Sequence, residues 1–200
     1  MDGTMINTAT IIDVYTDGSG NTMESDGAWA YRLLINGKVV EEDAGYMPTA
    51  TNNTAEVSAG IEGLKAVDRY IKANNIGENI VTLISDSQLT LCWATGKYKC
   101  KKDHLKPYVR DLQVLTKSLG ASTKWVKGHA GNEHNERCDE LAKAARYGTQ
   151  EKESNTTLDI TLQEQQQIIQ ALLFCTQPQL TDEERAELVA KISGVTPNDI

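Results

Sequence analysis

Residues 10–44 read TIIDVYTDGSGNTMESDGAWAYRLLINGKVVEEDA, and this stretch decides the fold. Thr10 to Thr16 is a β-branched run and Ala28 to Ile35 a second apolar run, both of strand length. Asn36-Gly37 follows directly. Both residues tolerate positive φ, so the pair closes a two-residue hairpin whose twist suits antiparallel strands. Lys38 to Ala44 returns as the third strand, and the chain opens on a three-stranded antiparallel sheet.

Beyond it, Thr54 to Ala73 carries Val57, Ile61, Leu64, Val67 and Ile71 at intervals of three and four, the spacing of one buried helical face. Ile80 to Ile84 is a short continuous apolar run, which predicts a central strand buried on both faces. A helix should follow from Ser87. Asp103 to Ser118 reads as another, capped by Asp103 and closed by Gly120, followed by a strand over Ser122 to Val126. Glu133 to Tyr147 completes the series as a helix with Leu141 and Ala145 inward. The order, three antiparallel strands, a helix, a strand, helices, a strand and a helix, predicts an α/β fold with a mixed sheet covered by helices.

The expected domains are an N-terminal arm (1–9), a catalytic domain (10–147), a polar linker (148–160) and an acidic helical extension (161–200). In the extension, Thr161 with Glu164 and Thr181 with Glu184 fit the capping-box pattern. Ile168, Ile169, Leu172 and Leu173 would face Leu188, Val189 and Ile192 in a C-terminal helical hairpin. So small an apolar set needs a partner surface, either the chain's own catalytic domain or a second copy in a homodimer.

The net charge of −8 argues at first against a phosphate-rich partner, but the charge is unevenly spread. Residues 1–150 hold 17 Lys+Arg against 19 Asp+Glu, whereas residues 151–200 hold 3 against 9. Nine basic residues (Lys97, Lys99, Lys101, Lys102, Lys106, Arg110, Lys117, Lys124, Lys127) fall between 97 and 127 with only Asp103 and Asp111 opposing them, enough for a phosphate-facing surface. Cys92, Cys100, Cys138 and Cys175 lack zinc-ligand spacing and read as free thiols. Asp13 and Asp17 interrupt the first hydrophobic run, and the first ten residues lack the charge and apolar run of a secretory signal. The expectation is a cytoplasmic protein with no membrane partner.

Four carboxylates stand at element ends, where side chains can share a cleft. Asp17 ends the first strand, Asp86 the central one, Glu56 sits in the first turn of the long helix, and Asp139 lies in the last core helix. Clustered carboxylates repel and are costly to bury, so such a group needs cations. Oxygen-only ligands suit Mg²⁺, with Mn²⁺ as a substitute. A pair of ions roughly 3.5 to 4 Å apart can serve the attacking and leaving oxygens of a phosphodiester.

The words around these residues are Tyr-Thr-Asp17-Gly-Ser, Thr51-Asn-Asn-Thr-Ala-Glu56, Ser85-Asp86-Ser-Gln and Trp125-Val-Lys-Gly-His129-Ala-Gly-Asn-Glu-His-Asn-Glu-Arg-Cys-Asp139. In wording, order and spacing they resemble the four blocks of type I ribonuclease H over roughly residues 10 to 147. The resemblance implies a ribonuclease H-like fold, a five-stranded mixed sheet (three antiparallel strands then two parallel) flanked by helices, and an endonuclease that cuts the RNA strand of RNA/DNA hybrids, leaving 5′-phosphate and 3′-hydroxyl ends. It implies that Asp17 bridges two ions, that Glu56 and Asp86 hold one, and that Asp139 holds the other.

His129 falls at the family's mobile catalytic histidine, suited to proton transfer or product release because imidazole changes charge near neutral pH. Asn52, Asn53 and Gln88 correspond to amides that reach the minor groove and the 2′-hydroxyl. Thr51 and Asn21 fall at phosphate contacts, and Asn135 at the RNA strand. His104 and His134 match no family position. The chain departs from the pattern after Ser19, where the longer glycine and proline run is missing. It departs again at Lys97 to Lys106, shorter than the basic protrusion of many relatives and without its tryptophans.

Two other readings share these features. A ribonuclease H-fold DNA nuclease would use the same carboxylates, but Asn52, Asn53 and Gln88 favour a hybrid. A non-catalytic hybrid-binding or protein-interaction module would gain nothing from clustered negative charge beside phosphates.

Overall fold

The structure, a computed structural model, describes residues 9–20 and 25–148. β1 (Thr10–Ser19), β2 (Ser25–Ile35) and β3 (Lys38–Ala50) form the antiparallel meander. Its turn follows from Asn36 and Gly37, whose φ values are 50° and 76°. The Asn36 side-chain oxygen also accepts the Ile11 N–H at 3.0 Å, tying the turn to the start of β1.

The strands run past their expected ends. β1 stays paired with β2 through Ser19 opposite Ala28, and β3 continues to Ala50 through a register shift between Ser25 and Gly27. Polar residues and Pro48 hide this extension in the sequence. Pro48 is tolerated because β3 is an edge strand in the order β3-β2-β1-β4-β5.

α1 (Asn52–Ala73) crosses over to β4 (Asn79–Ser85), which runs parallel to β1. α2 (Gln88–Ala94), a single 3-10 turn (Asp103–Leu105) and α3 (Lys106–Ser118) lead to β5 (Ser122–Trp125), parallel to β4. Asp103 does not cap α3. It opens the 3-10 turn and pairs with Lys106, while Pro107, with its preset φ, enters the first turn of the helix. Gly120, at φ 58°, closes this helix as expected.

Val57, Ile61, Leu64 and Val67 of α1 pack on Ile12, Val14, Tyr31 and Leu33 of β1 and β2. Val81 and Leu83 join from β4, and Leu91, Leu105, Val109 and Leu112 close the same core. The first half of α1 is buried well beyond the predicted stripe, because it has the sheet on one side and α3 on the other. Gly63 permits that approach: a Cβ there would stand 2.9 Å from Val14 Cγ2 and Thr16 Cγ2. The close fit offsets the roughly 1 kcal/mol of helix propensity that Gly loses to Ala.

Residues 133–148 form the last helix, α4, on the opposite face of the sheet. Its deepest contacts are the small residues Cys138 and Ala142 against Ala30, with Tyr15, Ala44 and Leu141 around them; Leu141 and Ala145 are half-buried. Arg137 reaches Glu42 at 2.8 Å and Arg32 reaches His134 Nδ1 at 3.1 Å, so the helix is also pinned to β2 and β3.

The expectation that β4 is buried on both faces needs correction at Ile80, which is 55% exposed. α4 packs around Tyr15 and Ala30, further along the sheet, and the register partner Ile11 is likewise exposed. Cys92, Cys100 and Cys138 are free thiols. No helix among the described residues is long and apolar enough to cross a membrane. Residues 1–8 of the N-terminal arm, the linker from 149 onward, the C-terminal hairpin and Cys175 lie outside the described residues, while Gly148, expected to open the linker, ends α4.

Candidate active site

Three element ends meet above the sheet. Asp17 and Gly18 lie just before the end of β1 at Ser19, and Gly18 lets the strand lie directly on α1, since a Cβ there would be 2.3 Å from the Glu56 nitrogen. Thr51 caps that helix by accepting the Thr54 N–H at 3.2 Å. Because α1 begins at Asn52, two residues earlier than expected, Glu56 falls in its second turn. Asp86 follows β4 at a bend where the Ser87 N–H donates to Ser85 Oγ at 3.1 Å.

Asp17, Glu56 and Asp86 each offer an oxygen, and these three atoms lie within 4.8 Å of one another. Asp17 and Glu56 are buried and Asp86 is half-buried. Burial, followed by the Asp86 charge, pushes the Asp17 carboxyl up to about 7. Asp139 adds to the shift, while the Gly18 N–H, 2.8 Å from Asp17 Oδ1, and Lys143 oppose it. Glu56 is raised well above the usual carboxylate range by burial first, then by Asp17 and Asp86. Its Oε2 is buried without a hydrogen-bond partner. Oxygen-only ligands, mutual repulsion and an orphaned buried acceptor are what a hard divalent cation relieves, so these residues fit a metal ion.

Asp139 lies beside the trio. Its Oδ2 accepts from Lys143 Nζ at 2.7 Å and stands 3.9 Å from His129 Nδ1, and its charge is felt at both Asp17 and Glu56. His129 is on an exposed loop at φ 51°, followed by Gly131 at φ 81°. The Gly131 N–H donates to Glu136 Oε1 at 2.8 Å, which ties the loop to α4.

Asn52 and Gln88 are exposed and Asn53 half-buried at the starts of α1 and α2. Thr51 Oγ1 is engaged by the cap. Asn135 is only 2% exposed and donates Nδ2 to Asp86 Oδ2 at 3.1 Å, so it is turned inward from the surface where an RNA strand was expected. Asn21 lies outside the described residues. The nine basic residues of 97–127 are all exposed.

Sequence reasoning passed over Gly18, Lys143 and Glu136. Lys143 was detectable, being four residues after Asp139 on one helix. The contacts of Gly18 and Glu136 depend on how loops fold back, which spacing does not reveal.

The RNase H family model matches residues 9–147. The chain belongs to the ribonuclease H family. It is 34% identical to the ribonuclease H of Thermoanaerobacter sp. strain X514 over 144 residues, covering 69% of this chain and 91% of that one. Among solved structures it resembles ribonuclease H1 of the halophilic archaeon Halobacterium salinarum, at a TM-score of 0.58 and 27% identity, over 68% of this chain and 96% of that one. LC11-RNase H1, solved in complex with an RNA/DNA hybrid, shares the fold at a TM-score of 0.60 and 23% identity, over 69% and 98% of the two chains. The antiparallel-then-parallel sheet is thus that of a ribonuclease H, and the enzyme class is that of a nuclease.

Proposed function

We propose that this ribonuclease H hydrolyses the RNA strand of RNA/DNA hybrids with the help of two Mg²⁺ ions, Mn²⁺ being able to replace them, held by Asp17, Glu56, Asp86 and Asp139. The observation that carries this reading is the trio of carboxylates within 4.8 Å, two of them buried. LC11-RNase H1, which shares the fold, is known with a bound hybrid, and this supports the choice of substrate. When bound, the ions supply Lewis acidity on both sides of the scissile phosphate. Water adds to phosphorus, the P–O3′ bond breaks, and the ends left are a 5′-phosphate and a 3′-hydroxyl.

The chain's own groups do the rest. Asp17 and Glu56, buried against each other, form the rigid floor of the site, and Asp86 and Asp139 stand at its rim. Asn52, Asn53 and Gln88 present amides at the starts of α1 and α2, able to bond to base edges and to the 2′-hydroxyl that distinguishes RNA from DNA. His129, on its loop near Asp139, moves a proton or assists departure of the cleaved end. The exposed lysines of 97–127 face the backbone of the duplex. Catalysis belongs to residues 10–147, and the acidic extension engages protein, either its own catalytic domain or a second copy.

Incubation with labelled RNA/DNA hybrid, duplex DNA and duplex RNA, each with and without Mg²⁺, tests the reading. Cleavage of the hybrid alone, and only with metal, is expected. Cleavage of duplex DNA would identify a DNA nuclease, and binding without cleavage would identify an inactive module.

A further inference from the structure

Asp86 is gripped from one direction. Trp125 Nε1 donates to its backbone carbonyl at 2.9 Å. Gly128 lies so close that a Cβ there would stand 2.5 Å from Asp86 Oδ2. Asn135, at the start of α4, donates Nδ2 to the same Oδ2 at 3.1 Å, while its backbone N–H is held by Asn132 Oδ1 at 3.1 Å. The chain from the end of β5 to the start of α4 thus clamps both the backbone and the carboxylate of Asp86.

The amide orientation of Asn135 follows from its partner. An ionised carboxylate only accepts, so the NH₂ must face it, and this leaves Asn135 Oδ1 buried with no hydrogen-bond partner. A buried acceptor without a donor is unfavourable, so the stability of the fold does not explain the residue. Asp86 does. Half-buried beside Asp17 and Glu56, its carboxylate is repelled toward solvent whenever the site holds no cation. A donor fixed on α4 resists that swing.

We propose that Asn135 is the positioning residue of Asp86, holding its carboxylate in the trio so that the metal site is formed before metal arrives. The proposal rests on the metal-site reading above and assigns Asn135 a role through Asp86, since a 2% exposed side chain has no surface left to offer a ribose. Partners of this kind behind a metal ligand are worth roughly 10 to 100-fold in metal affinity or activity.

The test is calorimetric titration of the full chain with Mg²⁺ in the absence of substrate, for the parent, Asn135→Leu and Asp17→Asn. Asn135→Leu is close in shape and removes the donor without adding a charge or a metal ligand beside Asp86. It should bind Mg²⁺ roughly 10 to 100-fold more weakly, while its KM for the hybrid at saturating Mg²⁺ stays within about twofold. Asn135→Ser keeps a hydroxyl donor at shorter reach, should fall between the two, and takes over the test if the leucine variant does not fold. A parent that binds no Mg²⁺ would remove the metal-site reading itself. If the parent binds and Asp17→Asn does not, but Asn135→Leu binds like the parent, the positioning role alone is overturned. An unchanged Mg²⁺ affinity with a raised KM would overturn it too and return Asn135 to the substrate.

Discussion

Gly18 lies directly on the backbone of Glu56: a Cβ at Gly18 would be 2.3 Å from the Glu56 nitrogen and 2.5 Å from the carbonyl carbon of Ala55. The φ of Gly18 is not left-handed, so the position requires space and not an unusual backbone. This contact sets the distance from the end of β1 to α1, and with it the distance from Asp17 to Glu56. Because the clash would be with backbone, which cannot rotate away, Gly18→Ala should cost about 1 to 3 kcal/mol. Thermal unfolding should show a lower Tm, and activity should fall further than the lost stability explains.

Stability of the metal-free protein should depend on pH through Asp17. Its folded-state pKa, pushed up to about 7, exceeds the unfolded value, so the folded protein binds this proton more tightly. The contribution is fully present below the ordinary carboxylate pKa of about 4 and is lost as pH rises through about 7. The Tm without metal should therefore fall across that window. Asp17→Asn should flatten the fall and melt roughly 5 °C above the parent on the alkaline side, the change expected from a couple of kcal/mol in a domain of this size. Mg²⁺ should flatten it for the parent. A parent whose Tm is level with pH would mean that the carboxylates do not repel as described.

Glu136 anchors the loop that carries His129. His129→Ala should slow hybrid cleavage by roughly 100 to 10,000-fold without abolishing it. Glu136→Gln weakens the bond from Gly131, frees the loop and should reduce turnover less, with little change in Mg²⁺ affinity. Single-turnover and steady-state rates for both variants separate proton transfer from release of the cleaved end.

Removing residues 151–200 takes away nine acidic and three basic residues. Metal-dependent cleavage should survive. Hybrid affinity should rise modestly at low salt, as a source of repulsion is gone, and the salt slope should not flatten, because no phosphate contact is lost. Binding measured between about 0.05 and 0.2 M salt distinguishes this from a tail that touches the substrate.

Much of the fold was legible because local chemistry agreed with the tertiary structure. Asn36-Gly37 marked its own turn, the stripe from Val57 to Ile71 marked α1, and Glu133 opened α4. Less legible were features set by neighbours. Nothing local distinguishes Ile80, at 55% exposed, from Val81, at 2%, because the difference depends on where α4 lies across the sheet. The two extra residues at the start of α1 follow from the Thr51 cap, which moves Glu56 from the first turn into the second. At the site, the acidic residues could be read from their places at element ends. The inward turn of Asn135 could not, since it requires the loop after β5 to fold back onto Asp86.

The most direct test is cleavage of a hybrid labelled at the 5′ end of its RNA strand, by the parent and by Asp17→Asn, with Mg²⁺ or with a chelator. A neutral amide cannot replace a carboxylate that shares cations with its neighbours, so Asp17→Asn should leave the RNA intact, while the parent cuts it only with Mg²⁺, into fragments ending in 3′-hydroxyls. Cleavage by the parent in chelator, or by Asp17→Asn at a rate near that of the parent, would contradict the assignment of the carboxylate trio as the metal-dependent catalytic site.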